Sequence, residues 1–260
     1  MRISVFFALF MLAALTAFSQ DFSAYAKKQW ISGNDTLPYR ILLPEGYNPA
    51  KKYPLVFFLH GAGERGNDNE KQLTHGAALF LQQEARKNYP AIVVFPQCPR
   101  NSFWSNVSFK RGENNESLFM FHAGPPPTSA MRMADSLLHF IIRKYPVQTR
   151  QVYVMGLSMG AMGTFELAYR NPSVFAAAVP ICGGGAAAFA PAVREVKWWI
   201  FHGAADNVVP PRYSLIMEEA LKKAGADVKL TMYDGVGHNS WDLTFAEKEL
   251  LPWLFAQKRK

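Results

Sequence analysis

Three short stretches carry side chains that could do chemistry together. In "VYVMGLSMGAMG", Val152 to Gly163, a β-branched apolar run stops at Gly156, and Ser158 stands between that glycine and Gly160. "IFHGAADNVVP" puts Asp206 directly after a second apolar run, and "DGVGHNSW" puts His238 after a third. A serine hydroxyl is a poor nucleophile until a base takes its proton, and an imidazole serves best when a carboxylate fixes its tautomer. The reading is therefore Ser158 as nucleophile, His238 as base and Asp206 as the acid that orients it. Asp234 is assigned to its own turn, and Asp242 to the first turn of the last helix. His60 and His202 each precede a glycine at a strand end and are read as buried, hydrogen-bonded structural residues. His75, His122 and His139 have no glycine-framed position.

Acyl transfer also needs donors for the oxyanion that forms on the attacked carbonyl. One is the backbone N–H of Met159, the residue after the serine. The second is sought in "LHGAGERGNDN", Leu59 to Asn69, at Ala62, with Gly63 as the alternative. That loop has no Walker lysine and no complete G-x-G-x-x-G, which argues against a phosphate cradle. Glu64 and Arg65 are expected to form a local ion pair that shapes it.

These residues must be positioned by the elements around them. Lys28 to Ile31 and Tyr39 to Leu43 read as an N-terminal antiparallel hairpin around Gly33-Asn34-Asp35. Short apolar runs follow at 55–59, 91–95, 152–155, 175–181, 197–201 and 228–233, as expected of strands covered on both faces. Helices are expected at 129–145, 159–169, 211–224 and 244–257, the last broken or restarted at Pro252. The alternation predicts an α/β fold: a mostly parallel central sheet with helices on both faces. Ligands of such sheets lie beyond the carboxyl ends of the strands, where Ser158, Asp206 and His238 all fall.

One segment breaks the rhythm. Residues 98–128 are polar, aromatic and proline-rich, and leave the end of a strand. So long a loop is expected to roof a pocket, since its aromatic side chains would be costly to leave in water. Phe103 and Trp104 are expected to line that pocket, with Trp241 beside His238.

Residues 1–19 read as a signal peptide: Arg2, an apolar run from Val5 to Leu15, and Ala17-Phe18-Ser19 before the cut. The run is too short for a comfortable membrane span, so the product is expected to be exported, periplasmic or secreted, and not membrane-inserted after cleavage. Residues 20–260 suit one domain with a large core, the chain being 49% hydrophobic and 18% charged. The net charge of +8 is scattered apart from Lys258-Arg259-Lys260, which reads as a solvated helix end and not a nucleic-acid arm. Cys98 and Cys182 follow different strands and are expected to stay unpaired; no C-x-x-C is present.

Taken together, "PEGYNPAKKYPLVFFLHGAGERGND", "FPQCP", "GLSMGAMG", "HGAADNVVP" and "GHNSW" resemble the α/β-hydrolase superfamily, as does the order Ser158, Asp206, His238. More narrowly, the chain is similar to exported bacterial carboxylesterases related to feruloyl-esterase, polyhydroxybutyrate-depolymerase and dienelactone-hydrolase-like enzymes. The resemblance implies a serine ester hydrolase working through an acyl-enzyme, on aryl or carbohydrate-linked esters, with no metal or cofactor. Dienelactone hydrolases proper have cysteine where this chain has Ser158. Some relatives are termed predicted peptidases, so a prolyl-oligopeptidase-like peptidase is the alternative, weakened by the lack of a preceding β-propeller. A non-catalytic binding module is disfavoured because all three positions of the trio are filled.

Overall fold

The computed structural model describes residues 20–113 and 116–260. The expected signal segment, residues 1–19, lies outside the described residues. Among the described residues, ten strands and six α-helices follow one another as β1 (Ala26–Ser32), β2 (Asp35–Leu42), β3 (Tyr53–Leu59), α1 (Gln83–Asn88), β4 (Ile92–Pro96), β5 (Val107–Arg111), β6 (Ser117–Phe121), α2 (Ser129–Lys144), β7 (Val147–Leu157), α3 (Met159–Arg170), β8 (Ala177–Ile181), β9 (Lys197–Gly203), α4 (Arg212–Lys223), β10 (Val228–Tyr233), α5 (Trp241–Ala246) and α6 (Leu250–Ala256). Eight strands form one sheet in the order β1-β2-β4-β3-β7-β8-β9-β10. The β1–β2 and β2–β4 pairs are antiparallel, and all pairs from β4 to β10 are parallel.

The period-two side-chain pattern of the strands divides the core into two layers. Leu55, Phe57 and Leu59 of β3 pack with α2, α3 and α4 on one face. Val56 and Phe58 pack on the other with α1 and α6. The same division runs through β7, where Val154 faces one layer and Tyr153 and Met155 the other. The inner strands β3, β4 and β8 are covered on both faces and read as continuous apolar runs. Helix α2 starts where Thr128 accepts a hydrogen bond from the Met131 amide at 3.0 Å, a side-chain cap.

Two expectations need correction. The C-terminal helix expected over 244–257 is two helices, α5 and α6, and the break falls before Pro252. Pro252 lies in the first turn of α6, where a missing N–H removes no intrahelical bond. The 98–128 segment is also more ordered than a loop: β5 and β6 pair as an antiparallel hairpin, with Phe109 opposite Phe119 and Val107 opposite Phe121.

A buried carboxylate ties this segment to the helix behind Ser158. Glu166 of α3 is fully buried. It accepts from the Ser105 hydroxyl at 2.9 Å and the Asn106 amide at 2.7 Å, and pairs with Arg170 at 2.7 Å. Removing one member of such a set leaves the others desolvated and unpaired. Glu166→Ala is expected to lower unfolding free energy in urea by about 3 kcal/mol, with Glu166→Gln intermediate. A loss below about 1 kcal/mol, the range of an ordinary surface change, would contradict this anchoring role.

Candidate active site

Strand β7 ends at Leu157 and helix α3 begins at Met159, so Ser158 alone makes the turn between them. Its backbone stands at φ 54, ψ −117, a conformation costly for a residue with a side chain. Three backbone bonds hold it there. The Ser158 amide donates to the Ile181 carbonyl of β8 at 2.8 Å, and its carbonyl accepts from Ala161 at 3.0 Å and Met162 at 3.1 Å in the first turn of α3. The turn is possible only because the helix passes almost against the end of β3. A Cβ on Gly160 would lie 1.9 Å from the Leu59 carbonyl oxygen, and one on Gly156 would lie 2.3 Å from the Gly160 oxygen.

The loop after β10 brings His238 to the serine. Ser158 Oγ donates to His238 Nε2 at 2.9 Å, and His238 Nδ1–H donates to Asp206 Oδ2 at 2.7 Å. The other oxygen of Asp206 accepts the amides of Val208 and Val209 at 2.9 and 3.0 Å, and Oδ2 also receives His202 Nε2 at 3.1 Å. Burial by itself would raise the Asp206 carboxyl. The bonds from His202, His238 and the Val209 amide outweigh it and hold the group well below the usual carboxylate range. Asp206 therefore stays ionised next to His238.

Ala62 opens a short 3-10 turn, Ala62–Glu64, and Met159 opens α3. Amides at helix starts have no intrahelical acceptor and carry the positive end of the dipole. Both residues line the cavity onto which Ser158 opens, which encloses about 460 Å³. Its lining comes largely from the inserted segment: the apolar Phe103, Val107, Phe109 and Phe119 together with Lys110, Arg111 and Ser117, joined by Met162 and Val209. The hairpin is fastened over the site by Tyr213 of α4, whose hydroxyl accepts the Phe119 amide at 2.7 Å. Of these, only Phe103 is among the pocket residues anticipated from sequence. Phe109 and Phe119 were legible as aromatic members of the segment, but not their placement over Ser158.

Trp104 is a correction. It is fully buried, its indole N–H donates to the His60 carbonyl at 3.1 Å, and its Cβ occupies the space beside Gly163. It wedges β3 against α3 and does not line the cavity. Trp241 stands edge-on to the His238 ring, with centroids 5.4 Å apart. The expected Glu64–Arg65 pair is a second correction. Glu64 faces His60 and His75 at 4.0 and 3.8 Å. Arg65 instead donates to the Ala62 and Arg100 carbonyls and lies over Phe103 at 4.5 Å. Backbone carbonyls that need donors take the guanidinium.

His60 supports the turn that bears Ala62. Its Nδ1–H donates to the Gly61 carbonyl at 2.6 Å, and Nε2 accepts from the Cys98 amide at 2.9 Å. Cys98 and Cys182 are both buried free thiols. Among the described residues, one group places three metal-type ligand atoms within 4.8 Å of one another: Cys182, Asp206 and His238. Burial raises the Cys182 thiol, and Asp206 and His238 are bonded to each other, so the donor set suits the serine better than an ion.

Residues 32–206 match the family model Esterase, described as "Putative esterase". A probable acetylxylan esterase A of Neosartorya fischeri is 29% identical over 221 residues, 80% of this chain and 54% of that protein. Feruloyl esterase B of Neurospora crassa is 28% identical over 170 residues, 52% of this chain and 54% of that protein. The chain thus spans about half the length of these relatives. Among solved structures, a thermostable esterase superposes with a TM-score of 0.81 at 33% identity, over 91% of this chain and 64% of that one.

Two outcomes follow from this geometry. Gly160→Ala must push α3 off the Leu59 carbonyl, and is expected to cost more than about 3 kcal/mol in urea unfolding and to abolish labelling of Ser158 by a fluorophosphonate. Normal labelling would contradict the close approach. Burial also pushes His60 down to about 4 from 6.5. The unfolded chain takes up that proton first, so the stability is whole above pH 6.5 and drains away as pH falls towards 4, by up to ~3 kcal/mol. A melting temperature that stays flat from pH 7 to about 4.5 would contradict it.

Proposed function

The chain belongs to the Esterase family, and from that premise we propose that it hydrolyses carboxylic esters through an acyl-enzyme on Ser158. The observation that carries the reading is the unbroken line from Ser158 Oγ through His238 to Asp206, at 2.9 and 2.7 Å, opening on a cavity with two helix-start amides. His238 Nε2 takes the Ser158 proton as the oxygen attacks the ester carbonyl. The amides of Met159 and Ala62 receive the oxyanion. His238, now protonated and held by Asp206, gives its proton to the leaving alkoxide. Water then enters by the same route, with His238 again as base, and frees the acid. Every step is made by groups of this chain.

For the acyl group we infer an aromatic one, or a small acyl carried on a carbohydrate. The cavity wall of Phe103, Phe109 and Phe119 suits a flat apolar group. The relatives named acetylxylan esterase and feruloyl esterase point the same way. The same triad can cleave amides, but no observation at the site favours peptides. We also propose that the protein acts outside the cytoplasm, on the pattern of residues 1–19; among the described residues no helix is long and apolar enough to cross a membrane.

Turnover of methyl ferulate, 4-nitrophenyl acetate, acetylated xylose and a matching anilide tests the reading. Ser158→Ala is expected to lower kcat for the esters by about 10⁴ or more. Retention of a tenth of the activity, or a preference for the anilide, would contradict it. Phe109→Ala is expected to lower kcat/KM for methyl ferulate by about 3- to 10-fold while leaving 4-nitrophenyl acetate unchanged. Equal loss on both would remove the aromatic wall from acyl selection.

A further inference from the structure

His202 is the last residue but one of β9, four residues before Asp206, and no part of it reaches solvent. Its Nε2 lies 2.8 Å from the Val209 carbonyl and 3.1 Å from Asp206 Oδ2. Both neighbours only accept, so Nε2 carries the ring proton. Nδ1 lies 2.7 Å from Ser214 Oγ, on the buried side of α4. That hydroxyl is also 2.9 Å from the Gly183 carbonyl, and it has one proton to place.

The two placements differ in charge. A proton sent to Gly183 would need a second proton on Nδ1, making His202 an imidazolium. That cation would neutralise Asp206, the counter-charge His238 needs when it takes the serine proton. A proton sent to Nδ1 leaves the ring neutral and Asp206 with its full charge. The cost is that the Gly183 carbonyl gives up the Ser214 proton, which buried structure tolerates better than a second buried charge.

Geometry then shows what the ring does for the acid. Asp206 Oδ1 is held by the two amides of Val208 and Val209. Those bonds alone would let the carboxylate pivot and swing Oδ2 away from His238. An sp² oxygen has two lone-pair directions. With His202 on one, the other points at His238 Nδ1, 2.7 Å away.

We propose that His202 and Ser214 are positioning residues that continue the triad inward: Ser214 sets the tautomer of His202, and His202 Nε2–H holds the Asp206 carboxylate in the orientation His238 requires. The proposal rests on the acyl-enzyme reading above. It assigns catalytic consequence to a histidine otherwise read as structural.

The test compares His202→Leu, which removes the donor, with His202→Gln, which keeps an N–H near the Nε2 position, on 4-nitrophenyl acetate. Rates are scaled to the folded fraction. His202→Leu is expected to lower kcat by about 10²-fold with KM within about twofold, because the base is misoriented and the pocket is untouched. His202→Gln is expected to recover at least about tenfold of that. Ser214→Ala, a smaller change, is expected to lower kcat by about threefold or more with KM constant. Nitrogen NMR of the wild-type ring supplies a readout free of mutation: a protonated Nε2 and a bare, hydrogen-bonded Nδ1 are expected. A His202→Leu enzyme with kcat unchanged, equal rates for the Leu and Gln variants, or a ring doubly protonated at neutral pH would each overturn the proposal. Should the Leu variant fail to fold, the Ser214→Ala rates and the ring nitrogens decide it. Loss of these effects with Ser158 still essential would sink this inference alone; activity independent of Ser158 would sink the reading beneath it.

Discussion

At Ser158 a residue with a side chain holds φ 54 because the first turn of α3 runs against the carbonyl of Leu59. That contact couples the three things the site needs. It lifts the hydroxyl clear of the strand end. It aims the first amide of α3 at the same point in space. It also sets α3 so close to β3 that the turn bearing Ala62, which continues β3, lines the same cavity as Met159. The strain is repaid by the sheet on either side, through the Ile181 carbonyl and the buried apolar layers above and below.

Electrostatics divides the labour among the histidines. His60 is kept neutral by burial and acts as a fixed spacer under the Ala62 turn, between the Gly61 carbonyl and the Cys98 amide. His238 is partly exposed and hydrogen-bonded to both Ser158 and Asp206. Asp206 keeps its charge in a dry place because four donors converge on it. A carboxylate with fewer donors would be driven towards its neutral form and would no longer stabilise a protonated His238. The aromatic hairpin over the cavity is anchored separately, by Glu166 and Tyr213, and not through the groups that hold Asp206.

Much of this was legible from local patterns. The inner strands of the parallel sheet carry apolar runs, and Ser158, Asp206 and His238 each follow a strand of that sheet, so their meeting at one sheet end follows from topology. The break between α5 and α6 was misplaced because proline is tolerated in a first turn, which a sequence reading cannot distinguish from a helix interior. Trp104 looked like a pocket residue because an aromatic in a long segment has no period to reveal its side. Only the contact with Gly163 and the His60 carbonyl decides that it is buried. The partnership of His202 with Asp206 left one trace, the spacing in "HGAAD", and its second partner lies on a different element, α4.

The central claim is that Ser158 is acylated in the course of turnover. Rapid acid quenching of the enzyme during hydrolysis of a slow aromatic ester, followed by peptide mass spectrometry, tests it most directly. The account predicts one acyl group per chain, carried on the peptide that contains Ser158, forming and decaying at rates that match turnover. Steady hydrolysis with no acylated peptide, or an acyl group on another residue, would contradict it.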